Sequence, residues 1–259
     1  MKTVVFQSFR TTDVPGWMAA CMDSVRSWAA AAGFDYRFFG DEFLELAPAW
    51  FRERCAGEIC PVTDLARLMM SRELLRGGYE RTVWVDADML VFAPESLRVD
   101  APAGFSFCFE LWPFLDTSGQ VQFNRTVNNS ITVFTRNNCQ LEFLIDACLR
   151  IASAQPRLHK LAVGSHFLTG LAQLMPMPLL TNVGIFNPIL MQDIAGGQDR
   201  LLPGYAAQLP ARLASANLCG SLVGQPVNGY LVQAPVYEAV VRRCLSSRGE
   251  VVNRHVRGA

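Results

Sequence analysis

The sequence has no net charge, few lysines and no long apolar run. Its 23 Lys and Arg residues balance 23 Asp and Glu residues, and only Lys2 and Lys160 are lysines. Neither the net charge nor the near-neutral pI indicates a nucleic-acid partner, so we expect none. No apolar run approaches the ~20 residues that cross a bilayer, and the strand-like residues 3–6 are too short for the apolar part of a signal peptide. We therefore expect a cytoplasmic protein.

The cysteines lack the spacing of a metal or redox motif. None of the 8 forms a Cys-x-x-Cys pair, and several lie in apolar segments. This usage is typical of buried thiols in a reducing compartment, which also favours the cytoplasm.

The order of the predicted elements indicates an α/β protein. A helix-like stretch at residues 17–32, which stops at Gly33, lies between strand-like residues 2–9 and 34–39. This β-α-β order favours parallel strands with helices on both faces of a sheet. The remaining predictions are helices at 43–55, 63–76 and 141–151, strands at 104–112 and 128–134, and a loop at 113–123. We expect one domain with a mixed, mostly parallel central sheet flanked by helices.

Two carboxylates stand between apolar runs. Residues 83–85 and 89–92 have the composition of buried strands, and Asp86 and Asp88 separate them. Side chains two apart on an extended chain face the same way, so both acids can point to one site. Two neighbouring carboxylates repel each other unless a cation compensates them, and hard oxygen ligands suit Mg²⁺ or Mn²⁺. The alternative for a bare Asp-x-Asp is a surface turn, which the apolar flanks disfavour.

The first part of the chain resembles the DXD sugar-binding region of GT-A glycosyltransferases. The similarity is greatest to the retaining family of yeast-type initiating mannosyltransferases and bacterial capsule and lipopolysaccharide transferases, and more distant to glycogenin-like galactosyltransferases. It covers about residues 1–95 in order, with Thr63 in place of the family's serine and Tyr79 to Thr82 added before the acidic strand. The segments that carry it are residues 24–28, 35–37, 41, 63–67, 77–79 and 86–88.

The resemblance implies a GT-A, Rossmann-like fold and a nucleotide-sugar donor site. Asp88 would bind the metal, Asp86 would touch the metal or the ribose, Asp64 would face the donor, and Arg67 would order the site. From the residues alone, Asp64 and Arg67 equally fit a solvated helix pair. The loop after the first strand is a candidate wall of a nucleotide-binding site, because ligands in open α/β sheets bind at the carboxyl ends of the strands. The donor-binding candidates are Gln7, Ser8, Arg10, Asp64, Arg67, Asp86, Ala87, Asn129 and Ser130.

The second half offers fewer candidates. Asn129 and Ser130 fit donor hydroxyls or a turn cap, and His166 fits a catalytic role or a helix start. Related enzymes often supply a third metal ligand, frequently histidine, from a C-terminal strand. This chain has Asn217 at the corresponding place, and His255 is the other candidate.

These features predict a metal-dependent glycosyltransferase. We expect Mn²⁺ or Mg²⁺ as cofactor, a nucleotide-diphosphate sugar as donor, with a UDP-sugar favoured, and a glycan, lipid-linked or other hydroxyl acceptor. The resemblance implies retention of configuration. An inverting enzyme would instead need a carboxylate to deprotonate the acceptor, for which Glu110, Asp116 and Asp193 are candidates.

Two other functions stay open at this point. A sugar-nucleotide nucleotidyltransferase would also use paired acids, but residues 6–14 lack the glycine of its phosphate loop. A degenerate, non-catalytic sugar-binding or scaffold protein would explain Asn217, although Asp86 and Asp88 are intact.

The chain divides by expected role into three parts. Residues 1–95 form the nucleotide-sugar half, residues 96–235 the acceptor half, and residues 236–259 a C-terminal helix and basic tail. The tail fits weak contact with the inner face of a membrane or, more simply, a solvated terminus. The sequence does not predict the oligomeric state.

Overall fold

Parallel strands build the first half of the sheet. The computed structural model describes residues 1–256. It places β1 (Thr3–Ser8), α1 (Gly16–Ala31) and β2 (Asp35–Phe39) in the predicted β-α-β order. α1 ends before Gly33, whose φ of 69° is the left-handed conformation that glycine adopts readily. β1 pairs in parallel with β2 on one side and with β3 (Arg81–Val85) on the other.

The helix predicted at residues 43–55 is divided in two. A 3₁₀ turn covers Asp41–Leu46 and α2 covers Ala49–Cys55. Pro48 separates them, and the residue before a proline is pushed out of the helical region, as the ψ of 133° at Ala47 shows. The next helix, α3 (Ile59–Arg76), begins four residues before the predicted start, with Pro61 in its first turn where no N–H is needed.

The acidic segment leads from one sheet to another. β3 ends at Val85, and β4 (Met89–Val91) leaves the central sheet after Asp86 and Asp88. β4 joins a small second sheet in the order β4-β9-β8, formed with β8 (Val183–Ile185) and β9 (Ser215–Asn217).

A long antiparallel hairpin replaces the predicted loop at residues 113–123. β5 (Phe105–Leu115) and β6 (Val121–Thr135) pair up to Leu115 and Val121, so the loop prediction was wrong. Pro113 is tolerated because β7 (Leu179–Leu180) pairs only with Phe107 and Cys108, which leaves β5 an edge strand at Pro113. The five-residue turn is held by Asp116 Oδ1, which accepts hydrogen bonds from the N–H groups of Ser118 and Gln120.

The remaining elements lie in the second half of the chain. The central sheet has the order β2-β1-β3-β6-β5-β7, with three parallel and two antiparallel pairings. The other elements are α4 (Gln140–Ser153), α5 (Ser165–Ala172), α6 (Pro188–Gly196), α7 (Leu202–Ala206), β10 (Pro226–Val227), β11 (Tyr230–Leu231), α8 (Ala234–Ser246) and α9 (Glu250–Asn253).

Both faces of the central sheet are covered. On β3, Val83 and Val85 belong to the core that α1, α6 and α8 help to form, whereas Trp84 packs on the other face with Phe43 and Phe6. A sheet buried on both faces requires near-continuous apolar strands, as β1 and β3 have. The predicted α/β class with a mixed, mostly parallel sheet flanked by helices is therefore confirmed.

The C-terminal segment is partly described. α8 forms as predicted, and Arg254 pairs with Asp199 at the surface. Arg257, part of the predicted basic tail, lies outside the described residues. Within residues 1–256, no helix combines the length and the apolar character needed to span a membrane.

Candidate functional site at the end of strand β3

Asp86 and Asp88 stand in a sharp turn where β3 leaves the sheet. The N–H of Asp86 donates to the carbonyl of Ser130 on β6 at 2.8 Å, and its carbonyl accepts from the N–H of Met89 at 3.1 Å. The buried Gln7 side chain donates to the same carbonyl at 3.0 Å. Three neighbouring strands thus fix the backbone that presents the two acids.

The small second sheet brings Asn217 to both acids. Because Met89 pairs with Asn217 in register, the Asn217 Nδ2 lies 2.8 Å from Asp88 Oδ1 and 3.4 Å from Asp86 Oδ2. The Asn217 Oδ1 accepts the N–H of Cys219 at 2.7 Å, which orients the amide nitrogen towards the acids. In this orientation Asn217 donates to the acids, and its carbonyl could ligate a cation only after the amide rotates. Its role as a metal ligand stays a prediction.

Burial and mutual repulsion make the acidic pair hard to ionise. Asp88 Oδ2 accepts the N–H of Gly220 at 2.6 Å, and Asp86 Oδ1 accepts the indole N–H of Trp84 at 2.7 Å. Despite these hydrogen bonds, burial and then the charge of Asp86 raise the pKa of Asp88 to about 6. Burial likewise raises the pKa of Asp86. Arg67 opposes the shift at Asp86 without cancelling it, and Asp88 forms no ion pair within residues 1–256.

Arg67 forms direct ion pairs with two of the acids at this site. Its guanidinium lies 3.0 Å from Asp64 Oδ1 and 3.2 Å from Asp86 Oδ1, and it donates to the carbonyl of Asn129 at 2.6 Å. It also lies over the Trp84 ring, 4.9 Å from the ring centroid. The side chain is 6% exposed, so Asp64 and Arg67 form a buried pair rather than the solvated helix pair that the sequence also allowed.

Asp64 is held from three sides. In addition to Arg67, Asn129 Nδ2 donates to Asp64 Oδ1 at 2.8 Å. Gly164, just before α5, approaches so closely that a Cβ there would lie 2.4 Å from Asp64 Oδ2. Burial raises the pKa of Asp64 to about 6, even though Arg67 opposes the shift.

The raised pKa of Asp64 predicts pH-dependent stability. The folded pKa of about 6 exceeds the ordinary 3.8, so between these values the folded chain binds a proton that the unfolded chain lacks. The stability contributed by Asp64 is therefore full below the lower value and is lost as the pH rises through the upper one. Without divalent cations, the stability of the wild type relative to Asp64→Asn should be greater at pH 5 than at pH 7.5 by about 1.4 kcal/mol, because about one unit of the pKa shift lies above pH 5.

Thermal unfolding of both proteins at the two pH values measures this difference. Asp23→Asn, at an exposed acid on α1, controls for the loss of one charge. A difference between wild type and Asp64→Asn that stays constant with pH would show that Asp64 does not titrate in this window.

The acids open into a large cavity. Its volume is about 600 Å³, within the range of ligand-binding clefts. The predicted residues that line it are Asp64, Arg67, Asp86, Asp88, Glu110, Asn129, His166 and Asn217. The fold thus brings together candidates that are as far as 153 residues apart in sequence (217 − 64).

Other predicted residues lie outside this cavity lining. Ser8 Oγ donates to the carbonyl of Gly40 and Arg10 donates to that of Asp13. The Asp193 carboxylate accepts the N–H groups at residues 200–202, and His255 pairs with Asp199. Gln7, Ala87 and Ser130 adjoin the acids without lining the cavity. The catalytic or binding roles predicted for all of these residues stay predictions.

Several residues of the site were missed from sequence. Trp84 could have been found, because it lies two residues before Asp86 and therefore on the same side of β3. Gly220 carries no signal, since its contact with Asp88 depends on the path of the chain after β9. Missed residues that line the cavity include Cys60, Trp112, Asn124, Thr126, Asn128, Lys160 and Gln173.

The donor set at the two acids fits a divalent cation. Asp64 and Asp86 share one guanidinium, Asp88 forms no ion pair within residues 1–256, and burial opposes the ionisation of all three acids. Mg²⁺ and Mn²⁺ take one or two protein carboxylates and complete their shell with water or phosphate oxygens. In the described residues, no cluster of three His, Cys, Asp or Glu side chains is close enough to hold a metal.

Comparisons with known proteins give distant structural similarities. No protein-family model matches the sequence, and no curated protein matches it. A glycosyltransferase involved in glycosylation of the major capsid of PBCV-1 has a TM-score of 0.42 at 9% identity, over 84% of this chain and 93% of that one. Mouse xyloside xylosyltransferase 1 has a TM-score of 0.44 at 7% identity, over 85% and 98%. A197 from STIV has a TM-score of 0.28 at 12% identity, over 55% and 68%.

Proposed function

We propose that this protein is a glycosyltransferase that uses a divalent cation to transfer a sugar from a nucleotide diphosphate to a hydroxyl acceptor. The observation that carries the proposal is the pairing of Asp86 and Asp88, both half-buried, at the edge of a cavity of about 600 Å³. The resemblance of residues 1–95 to the DXD region of GT-A glycosyltransferases agrees with it. A UDP-sugar is the favoured donor.

The chemistry of the transfer explains why a cation belongs at the acids. Breaking the bond between sugar and phosphate leaves negative charge on the diphosphate, and a bound Mn²⁺ or Mg²⁺ would stabilise that charge. Asp86 and Asp88 would hold the cation, and the hydrogen bonds from Trp84 and Gly220 orient their carboxylates for this task.

Arg67 has a positioning role in this proposal. Its guanidinium already contacts Asp64, Asp86 and the carbonyl of Asn129, so its charge fixes Asp86 instead of facing a phosphate. The same contacts hold Asp64 and Asn129 at the cavity wall, where both can hydrogen-bond to donor hydroxyls.

A thermal-shift panel tests the proposal. The wild type is heated with UDP-, GDP-, CMP- and dTDP-sugars, each with and without Mn²⁺. A ligand present at about 100 times its Kd adds about 2.7 kcal/mol of stability, which is enough to identify the base. We expect one nucleotide to raise the Tm, only with Mn²⁺, in the wild type and in the exposed-site control Asp23→Asn.

The same panel can reject the proposal. A Tm increase of equal size without Mn²⁺ would show that donor binding does not require the cation. If no donor changes the Tm, a non-catalytic scaffold would be favoured. The Asn217 amide that contacts both acids also fits this alternative.

A further inference from the structure

Trp112 differs from the other tryptophans in its surroundings. It is half-buried and lines the cavity. Within residues 1–256 its ring packs against no other aromatic ring, so the fold does not use its face for aromatic packing. The other four tryptophans each have an aromatic neighbour, in the pairs Trp17–Tyr237, Trp28–Phe34, Trp50–Phe51 and Trp84–Phe43.

Trp112 belongs to one face of the β5–β6 hairpin. Glu110 pairs with Thr126 and Trp112 pairs with Asn124, and Asn128 follows on the same side of β6. All five side chains line the cavity. On the opposite face, Leu111 and Val127 are buried in the cores. The register of the hairpin thus gives it an apolar face in the core and a second face, formed by the five cavity-lining side chains, which we call the cavity face.

The cavity face is suited to a neutral, hydroxyl-rich ligand. It offers two amides, one carboxylate and an indole ring, with no arginine or lysine among its five side chains. A sugar ring matches this set, because it has apolar C–H groups for the indole and hydroxyls for the amides. A phosphate-bearing ligand does not match it, because the only charge on this face is that of an acid.

Glu110 is a buried acid without a cationic partner in the described part of the chain. Its residue is 9% exposed, and Asn128 Nδ2 donates to its Oε2 at 2.5 Å. Asn128 Oδ1 in turn accepts the N–H of Ser130, whose carbonyl accepts the N–H of Asp86. Hydrogen bonds therefore connect Glu110 through Asn128 and Ser130 to Asp86, and Glu110 lies on the wall of the same cavity as the acidic pair.

We propose that the cavity face of the hairpin binds a neutral sugar ring of the acceptor, stacked on Trp112, with Glu110 accepting a hydrogen bond from one of its hydroxyls. The assignment rests on the proposed function, and it narrows the acceptor from any hydroxyl compound to a saccharide.

Saturation-transfer NMR with methyl glycosides tests the subsite directly. The probes are methyl α- and β-pyranosides of glucose, galactose, mannose and N-acetylglucosamine, with glycerol 3-phosphate as an anionic comparison. The proteins are the wild type, Trp112→Leu, Trp112→Phe and Glu110→Gln. Trp50→Leu, at an exposed tryptophan outside the cavity, is the matched control. We expect a glycoside signal in the wild type, Trp112→Phe and Trp50→Leu, and its loss in Trp112→Leu.

Kinetics with the bound glycoside as acceptor complete the test. Trp112→Leu and Glu110→Gln should raise the acceptor KM at least about tenfold, which corresponds to about 1.4 kcal/mol, without changing the donor KM.

If donor and Mn²⁺ bind but no glycoside does, or if glycerol 3-phosphate binds at Trp112 instead, the subsite is wrong while the proposed function stands. If a glycoside binds at Trp112 and no donor binds, the proposed function is wrong while the subsite stands. A folded Trp112→Leu that binds glycosides like wild type would overturn the subsite.

Discussion

The Asp88→Asn variant is expected to lose Mn²⁺-dependent donor binding and to transfer sugar about 10²–10³ times more slowly than wild type, the range for removal of one preorganised electrostatic group. Asparagine keeps the shape of the side chain and can still accept the Gly220 N–H, but it removes one of the two negative charges that hold the cation. Turnover is measured as release of nucleoside diphosphate at saturating Mn²⁺.

The same variant should remain folded. Burial already raises the pKa of Asp88 to about 6, so its charge destabilises the metal-free protein at neutral pH. The metal-free Asp88→Asn protein should therefore have a Tm equal to or above that of wild type. Asp23→Asn controls for the loss of a charge at the surface. An Asp88→Asn protein that stays folded and turns over donor at the wild-type rate would refute the assignment of the metal site.

Replacing Arg67 with methionine should cause the largest loss of stability, about 3–5 kcal/mol, the cost of leaving a buried charge unpaired. Methionine preserves much of the apolar stem against Trp84 but leaves Asp64 and Asp86 facing each other without a cation. At about 2–4 °C per kcal/mol for a chain of this size, thermal unfolding will resolve the change. Arg76→Met, at an exposed arginine of the same helix, should change the Tm little.

A second substitution separates charge from packing in this variant. In Arg67→Met/Asp64→Asn, one of the unpaired acids is gone, so part of the lost stability should return. The coupling between the two positions should then appear as non-additivity in a double-mutant cycle. Strict additivity would show that the Arg67→Met loss comes from packing against Trp84 and not from the buried ion pair.

Much of the acidic part of the site could be predicted because its residues are local in sequence. Trp84 lies close to Asp86, Asp86 and Asp88 stand in the turn that directly follows β3, and Asp64 and Arg67 share one face of a helix. The β-α-β order predicts the parallel pairing of β1 and β2, but not the pairing of β3 with β1 and β6. The sequence left open whether Asp64 and Arg67 were solvated, since burial depends on β6 and on Gly164, which lie more than 60 residues away.

The other parts of the site depend on pairings that no local pattern encodes. Asn217 meets the acids because β9 pairs with β4, and Gly220 reaches Asp88 through the turn that follows. The predicted loop at residues 113–123 contains glycine and proline, which favour loops, whereas the structure continues both strands of the hairpin into this segment. Only the register of β5 on β6 places Glu110 and Trp112 on the same wall as Asn124 and Asn128.

Anomalous diffraction from a crystal grown with Mn²⁺ and a nucleoside diphosphate would test the central claim most directly. The account predicts a manganese peak within coordination distance of carboxylate oxygens of Asp86 and Asp88, with diphosphate oxygens on the same ion. A nucleotide bound in the cavity with no manganese at these acids, or a manganese bound elsewhere, would contradict it.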